Sequence, residues 1–186
     1  MEVEPIRDPG KIAEIKKFLE QKRRDKLLFV MGINMALRIG DLLSLSVGDV
    51  LDGEGRISRI ISLREQKTGK SKRLPINMSV RNALTNYLME RAGCSPAEPL
   101  FLSQKGGTLS RSQAWRILKE AGKSVGLENI GTHSLRKTFG YHVYKKSGGD
   151  LGLVQKLMNH AESRVTLRYI GIDGEKLDST YMDLNL

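Results

Sequence analysis

Thr132-His133-Ser134-Leu135-Arg136-Lys137 opens a segment that reads as one helix, Thr132 to Ser147, with Thr132 placed to cap it and Gly148-Gly149 to end it. His133 and Arg136 stand three apart, so on a helix they share a face, and both fall in its first turn. A helix N-terminus carries unpaired amide protons and a partial positive charge, which suits a phosphate. The Arg136 guanidinium adds a fork that matches two phosphate oxygens. H-x-x-R by itself is a common spacing on surface helices, so its meaning rests on its companions.

Downstream, His160 is followed nine positions later by Tyr169 in Thr166-Leu167-Arg168-Tyr169. The spacing gives two short helices, Leu151 to Met158 and Arg164 to Tyr169. A free phenol, with a pKa near 10, is a poor nucleophile. Beside cations and a base it can form a covalent phosphodiester that keeps the bond energy for a later religation.

Upstream, Lys26 to Leu37 is apolar enough for a buried helix and Asp41 to Leu45 for a short one, so Arg38 sits at a helix junction. Arg59 to Leu63 and Lys72 to Ile76 flank Gln66-Lys67-Thr68-Gly69-Lys70, whose Thr-Gly centre signals a turn. An antiparallel hairpin with Lys67 at its tip follows. Lys11 to Glu20 puts Ile12, Ile15, Phe18 and Leu19 on one helical face behind an Asp8-Pro9 start. Ser79 to Arg91 is a further helix, and Leu100-Phe101-Leu102 a short strand. Ser110 caps a helix to about Val125 with Trp115 and Leu118 on one side. The fold class is α+β, mainly helical, with a small antiparallel sheet.

A chain of 186 residues fits one domain and is long enough to bury about 70% of the surface its unfolded form exposes. Cys94 is the lone cysteine, which points to a reduced, intracellular protein. Thirty-one Lys and Arg against 21 Asp and Glu give a net charge of +10. Arg56 to Arg73 holds seven basic residues and one acidic, and Lys105 to Lys146 nine against Glu120 and Glu128. Clustered charge of this sign favours a polyanion, because phosphate contacts release condensed counterions. No apolar run approaches the ~18 residues of a membrane span, and Glu2 and Glu4 do not suit a secretory signal. A cytoplasmic location with no membrane partner is expected.

Ala36-Leu37-Arg38-Ile39-Gly40-Asp41, Gln66-Lys67-Thr68-Gly69, Thr132-His133-Ser134-Leu135-Arg136-Lys137 and Leu157-Met158-Asn159-His160 through Tyr169 stand in an order and spacing that resemble the catalytic domain of the tyrosine recombinase (phage integrase) family. The resemblance runs over essentially the whole chain. It implies that family's fold over 1–186 as a single catalytic domain, without a separate N-terminal core-binding domain. Asn159 stands where the family often has Gly; Asn is the next best residue for a left-handed helix end.

The resemblance also implies a site-specific DNA recombinase or integrase, an enzyme that cleaves and rejoins strands through a 3′-phosphotyrosyl intermediate. Tyr169 would attack, Arg38 and Arg136 clamp the non-bridging oxygens, Lys67 protonate the departing 5′-oxygen, His133 handle the tyrosyl proton and His160 bond the phosphate. Asp41 is read as orienting Arg38 or capping a helix. Lys70, Lys72, Arg73, Arg111, Arg116 and Lys137, with Ser112, are candidate DNA contacts. No cofactor and no metal are implied, since arginines take the divalent ion's place; a zinc reading of His133, His142 and His160 lacks a short ligand pair. Double-stranded DNA is the partner, with a homotetramer on DNA, a monomer without it, and an accessory recombinase or DNA-bending protein to supply further grip. The rivals are a catalytically idle DNA-binding module of the same fold and topoisomerase IB-like strand passage. Tyr181, between Asp178 and Asp183, is the lesser candidate for nucleophile.

Overall fold

The computed structural model describes residues 3–159 together with Thr166, Leu167 and Tyr169. Helix α1 (Pro9–Phe18) starts where Asp8 accepts a hydrogen bond from Gly10 N at 2.7 Å, with Pro9 at the position that needs no amide proton. Ile15 and Leu19 are buried, whereas Phe18 faces outward under Lys22, whose Nζ lies 5.2 Å from the ring centroid. Helix α2 (Arg23–Asn34) is the buried helix of the fold: Leu27, Leu28, Phe29 and Met31 are fully covered. Each such side chain stabilises the fold by about 1.5–3 kcal/mol.

Helix α2 stops at Asn34, three residues short of the expected Leu37, and Ala36 takes a left-handed φ of 51°. That turn sends the chain into α3 (Ile39–Leu43), with Arg38 as its N-cap residue. Strands β1 (Ile60–Arg64) and β2 (Ser71–Pro75) pair antiparallel with Ile60 opposite Pro75 and Arg64 opposite Ser71. Glu65 N donates to Lys70 O, Gly69 N to Glu65 O, and Gly69 at φ 66° closes the turn that presents Lys67.

Helix α4 (Met78–Met89) is capped by Asn77 and packs on α2. Leu100-Phe101-Leu102 is not a strand: Leu102 makes only an isolated bridge to Thr108, and Leu100 and Phe101 are core residues beneath a loop. Helix α5 (Arg111–Lys123) begins with the expected Ser110 cap, a capping box with Gln113. Leu118 is buried but Trp115 is 48% exposed, so the two do not share the core face.

Helix α6 (Thr132–Lys146) has Gly131, not Thr132, as its N-cap; Ser134 Oγ accepts from Gly131 N at 3.1 Å. Thr138 Oγ1 accepts from Ile6 N at 2.8 Å and His142 Nε2 lies 3.0 Å from Ile6 O, which fastens the N-terminal segment to α6. Helix α7 (Leu151–Met158) is capped by Asp150 and ends on Asn159 at φ 53°, as the left-handed preference of Asn suggested. Thr166, Leu167 and Tyr169 are helical, and Tyr169 packs against the Tyr144, Val154 and Met158 cluster between α6 and α7.

One large core lies between α2, α3, α4 and the hairpin, and a second between α1, α5 and α6. Leu135, in the H-x-x-R turn of α6, belongs to the second core and packs on Gly32 of α2, where an added Cβ would collide with Leu135 Cδ1. The close approach needs glycine there. It brings the start of α6 against the end of α2, and so sets Arg136 beside the Ala36 turn.

Candidate active site

Arg136 is 2% exposed and spans two elements: Nη1 donates to Ala36 O at 2.5 Å, and Nη2 donates to Met158 O at the end of α7. Its guanidinium is thereby locked by carbonyls that flank the site. Burial lowers its pKa, and Arg38 adds to that, while Tyr169, Glu65 and Asp41 oppose it. A guanidinium stays charged all the same.

Arg38 Nη1 forms an ion pair with Glu65 Oε2 at 3.1 Å. Asp41 is almost fully buried and accepts from Gln66 N at 2.9 Å, which ties its carboxylate to the backbone of the hairpin turn. Lys67 is exposed on that turn. The turn is thus tied to α3 beside the arginine.

His133 stands at the surface on the first turn of α6, with Nδ1 3.4 Å from Tyr169 Oη. Partial burial and then the cations Arg136, Lys137 and Arg38 lower the pKa of the imidazole. It is therefore neutral at pH 7 and able to accept a proton. Burial raises the Tyr169 phenol above its ordinary value, and Arg136 and Arg38 draw it back. Near neutrality the phenol keeps its proton. Lys137 Nζ lies 5.6 Å from the Tyr169 ring centroid.

Arg38, Arg136, His133 and Tyr169, spread over 132 positions of sequence (38 to 169), thus act on one another at one place. Lys67 lies on the turn that Asp41 and Glu65 hold beside them. His160 and Tyr181 lie outside the described residues, as does the remainder of the expected Arg164 to Tyr169 helix.

The six candidate DNA contacts separate. Lys70, Arg73, Arg111 and Arg116 are exposed. Arg111 lies over Gly40, its Nη2 2.5 Å from where a Cβ would sit, and so reaches the helix that Arg38 starts. Arg116 lines a surface cavity with Arg24 and Arg91. Lys137 is buried, and Lys72 turns inward to donate to Leu157 O at 3.0 Å. Burial and Arg136 lower the Lys72 pKa to about 8, against the opposing pull of Glu65.

Sequence reasoning passed over Glu65, which is 1% exposed and contacts Arg38, Thr68 and Asn159. Nothing local marks it, because its farthest partner is 94 positions away.

The family model of the phage integrase family matches residues 8–175. A probable integrase/recombinase of Bacillus subtilis, YoeC, is 41% identical over 181 residues, which is 96% of this chain and 95% of that protein. The crystal structure of XerA recombinase superposes with a TM-score of 0.76 at 22% identity, covering 98% of this chain and 64% of that one. XerH site-specific recombinase bound to palindromic difH substrate gives 0.74 at 21% identity, over 94% of this chain and 51% of that one. The chain therefore spans between half and two-thirds of those two crystallised chains, and their likeness is one of fold.

Proposed function

The chain belongs to the phage integrase family of tyrosine recombinases, and from that premise we propose that it cleaves and rejoins DNA strands at specific sites through a 3′-phosphotyrosyl link on Tyr169. The observation that carries the reading is the 3.4 Å approach of His133 Nδ1 to Tyr169 Oη within the field of Arg136 and Arg38. Such a contact is long for a hydrogen bond, as catalytic contacts often are before substrate binds.

In the forward step Tyr169 Oη attacks phosphorus while its proton passes to His133. The bond from phosphorus to the 5′-oxygen breaks, and Lys67 supplies that oxygen's proton. Arg38 and Arg136 bind the non-bridging oxygens as negative charge grows. His160 donates a further hydrogen bond. Attack by the 5′-hydroxyl of a partner strand reverses the step and exchanges strands. The cationic groups meet the charge of the transition state, so the reaction requires no divalent ion and proceeds in a chelator.

Double-stranded DNA is the substrate, engaged by Lys70, Arg73, Arg111 and Arg116, and a tetramer on DNA brings four strands together in the cytoplasm. A nicked suicide duplex tests the reading: the wild-type chain accumulates a covalent DNA adduct in EDTA, and Tyr169→Phe forms none. Binding without adduct by the wild type would leave a DNA-binding module in place of an enzyme.

A further inference from the structure

The reaction scheme leaves one buried charge beside Arg38 unused, the carboxylate of Glu65. It stands just past the end of β1, and its Oε2 gathers three partners: Thr68 Oγ1 at 2.7 Å, Asn159 Nδ2 at 3.0 Å and Arg38 Nη1 at 3.1 Å. Each partner belongs to a different part of the site. Thr68 follows Lys67 in the hairpin turn, Asn159 ends α7 and precedes His160 in sequence, and Arg38 begins α3. One oxygen atom therefore joins three segments that carry reacting groups.

Two further bonds run along the same seam. Lys72 Nζ donates to Leu157 O at 3.0 Å and Lys70 Nζ to Asn159 Oδ1 at 3.5 Å. The side chain of Asn159 is thus used at both ends, donating to the carboxylate and accepting from the lysine. Its backbone holds the left-handed conformation that fixes where α7 stops.

Burial by itself would raise the Glu65 carboxyl, but Thr68, Asn159 and Arg38 more than offset it and hold the pKa down to about 2. The group is an anion at any pH the enzyme meets. Glu65 Oε1 and Arg38 Nη1 are buried with no hydrogen-bond partner among the described residues, and the two charges meet in the ion pair between Nη1 and Oε2. Removing the negative member would leave a guanidinium that is costly to keep in that place.

We propose that Glu65 is a positioning residue for strand cleavage, which holds the Arg38 guanidinium, the Lys67 turn and the end of α7 in one register. The role rests on the functional reading given above. Glu65 acts through Arg38, Thr68 and Asn159, not on the phosphate. A misplacement of about 1 Å at a reacting group costs about a hundredfold in rate, and loosening this tie frees three such groups together.

Glu65→Gln keeps the volume and one acceptor but removes the charge. Single-turnover cleavage of the nicked duplex is expected to fall about tenfold to a hundredfold, while DNA affinity changes by less than about threefold. Asn159→Ala is expected to slow cleavage as well, and the double variant to lose no more than the worse single one, since both cut the same tie. Without DNA, hydrogen exchange of the 66–70 and 157–159 amides should quicken in Glu65→Gln. Cleavage by Glu65→Gln within about twofold of wild type, losses that multiply in the double variant, or unchanged exchange at both segments would each overturn the proposal. A wild-type chain that forms no adduct strikes the recombinase reading instead, and the exchange measurement still decides the tie.

Discussion

In the proposed reaction His133 serves as the base because burial, and then the cations around it, keep its imidazole neutral. An imidazole of ordinary pKa, near 6.5, would be partly protonated at neutral pH, but partial burial with Arg136, Lys137 and Arg38 disfavours its charged form. A proton acceptor must be neutral, and a lowered pKa extends the neutral form to more acidic solution. Cleavage should therefore be near its plateau at pH 7 and decline only as pH drops below the ordinary histidine range. His133→Asn should remove that acid limb and slow cleavage by about 10²–10⁴-fold. A pH series of single-turnover rates for the two proteins checks both parts, and a wild-type limb centred above pH 7 would remove His133 from the role. Residue types and order made this histidine legible as a candidate, along with Arg38, Lys67, Arg136 and Tyr169. Glu65 and the inward turn of Lys72 were not legible, because their partners at Asn159 and Leu157 come from far along the chain.

Most local helix signals were readable, Thr132 being the exception because Gly131 takes the cap of α6, whereas packing decides where α2 stops. Asp8-Pro9, Ser110 with Gln113, and Asn159 act within a turn of their own helix, and each does what its side chain favours. The end of α2 is different: an alanine in the left-handed region is uncommon, and Ala36 adopts it where its carbonyl receives Arg136 from α6. Trp115 misled for a related reason, since helical spacing told of a shared side but not of what lies across from it. Gly32 carries the matching consequence for packing. A methyl group there would meet Leu135 at Cδ1, Cβ and Cγ, and Leu135 stands between His133 and Arg136. Gly32→Ala should push α2 and α6 apart, lower stability by about 1–3 kcal/mol and slow cleavage as Arg136 leaves Ala36. Gly53→Ala, where nothing lies within 4 Å of the added carbon, should stay within about 0.5 kcal/mol of wild type. Thermal melts of both variants make the comparison.

Across the whole molecule, the basic side chains of the candidate site and of the candidate DNA contacts fall into two groups by exposure. Arg38, Lys72, Arg136 and Lys137 are held inward by Glu65, backbone carbonyls and the Tyr169 ring, and their fields fall on one site. Lys70, Arg73, Arg111 and Arg116 remain exposed. No helix among the described residues is long and apolar enough to cross a membrane. Outward cations of this kind displace condensed counterions from a duplex, so affinity should decline linearly on a plot of log K against log salt. The inward ones should add little to that slope. Arg111→Gln removes an exposed guanidinium next to α3, and should make the slope shallower by about one unit while weakening binding on every sequence alike. Lys137→Gln removes the same charge from a buried position and should leave the slope unchanged, although cleavage slows because the cation near Tyr169 is lost. Binding titrations at four or five salt concentrations with a duplex target distinguish the two. Equal slopes for both variants would mean that the partition into inward and outward charge does not govern how the protein meets DNA.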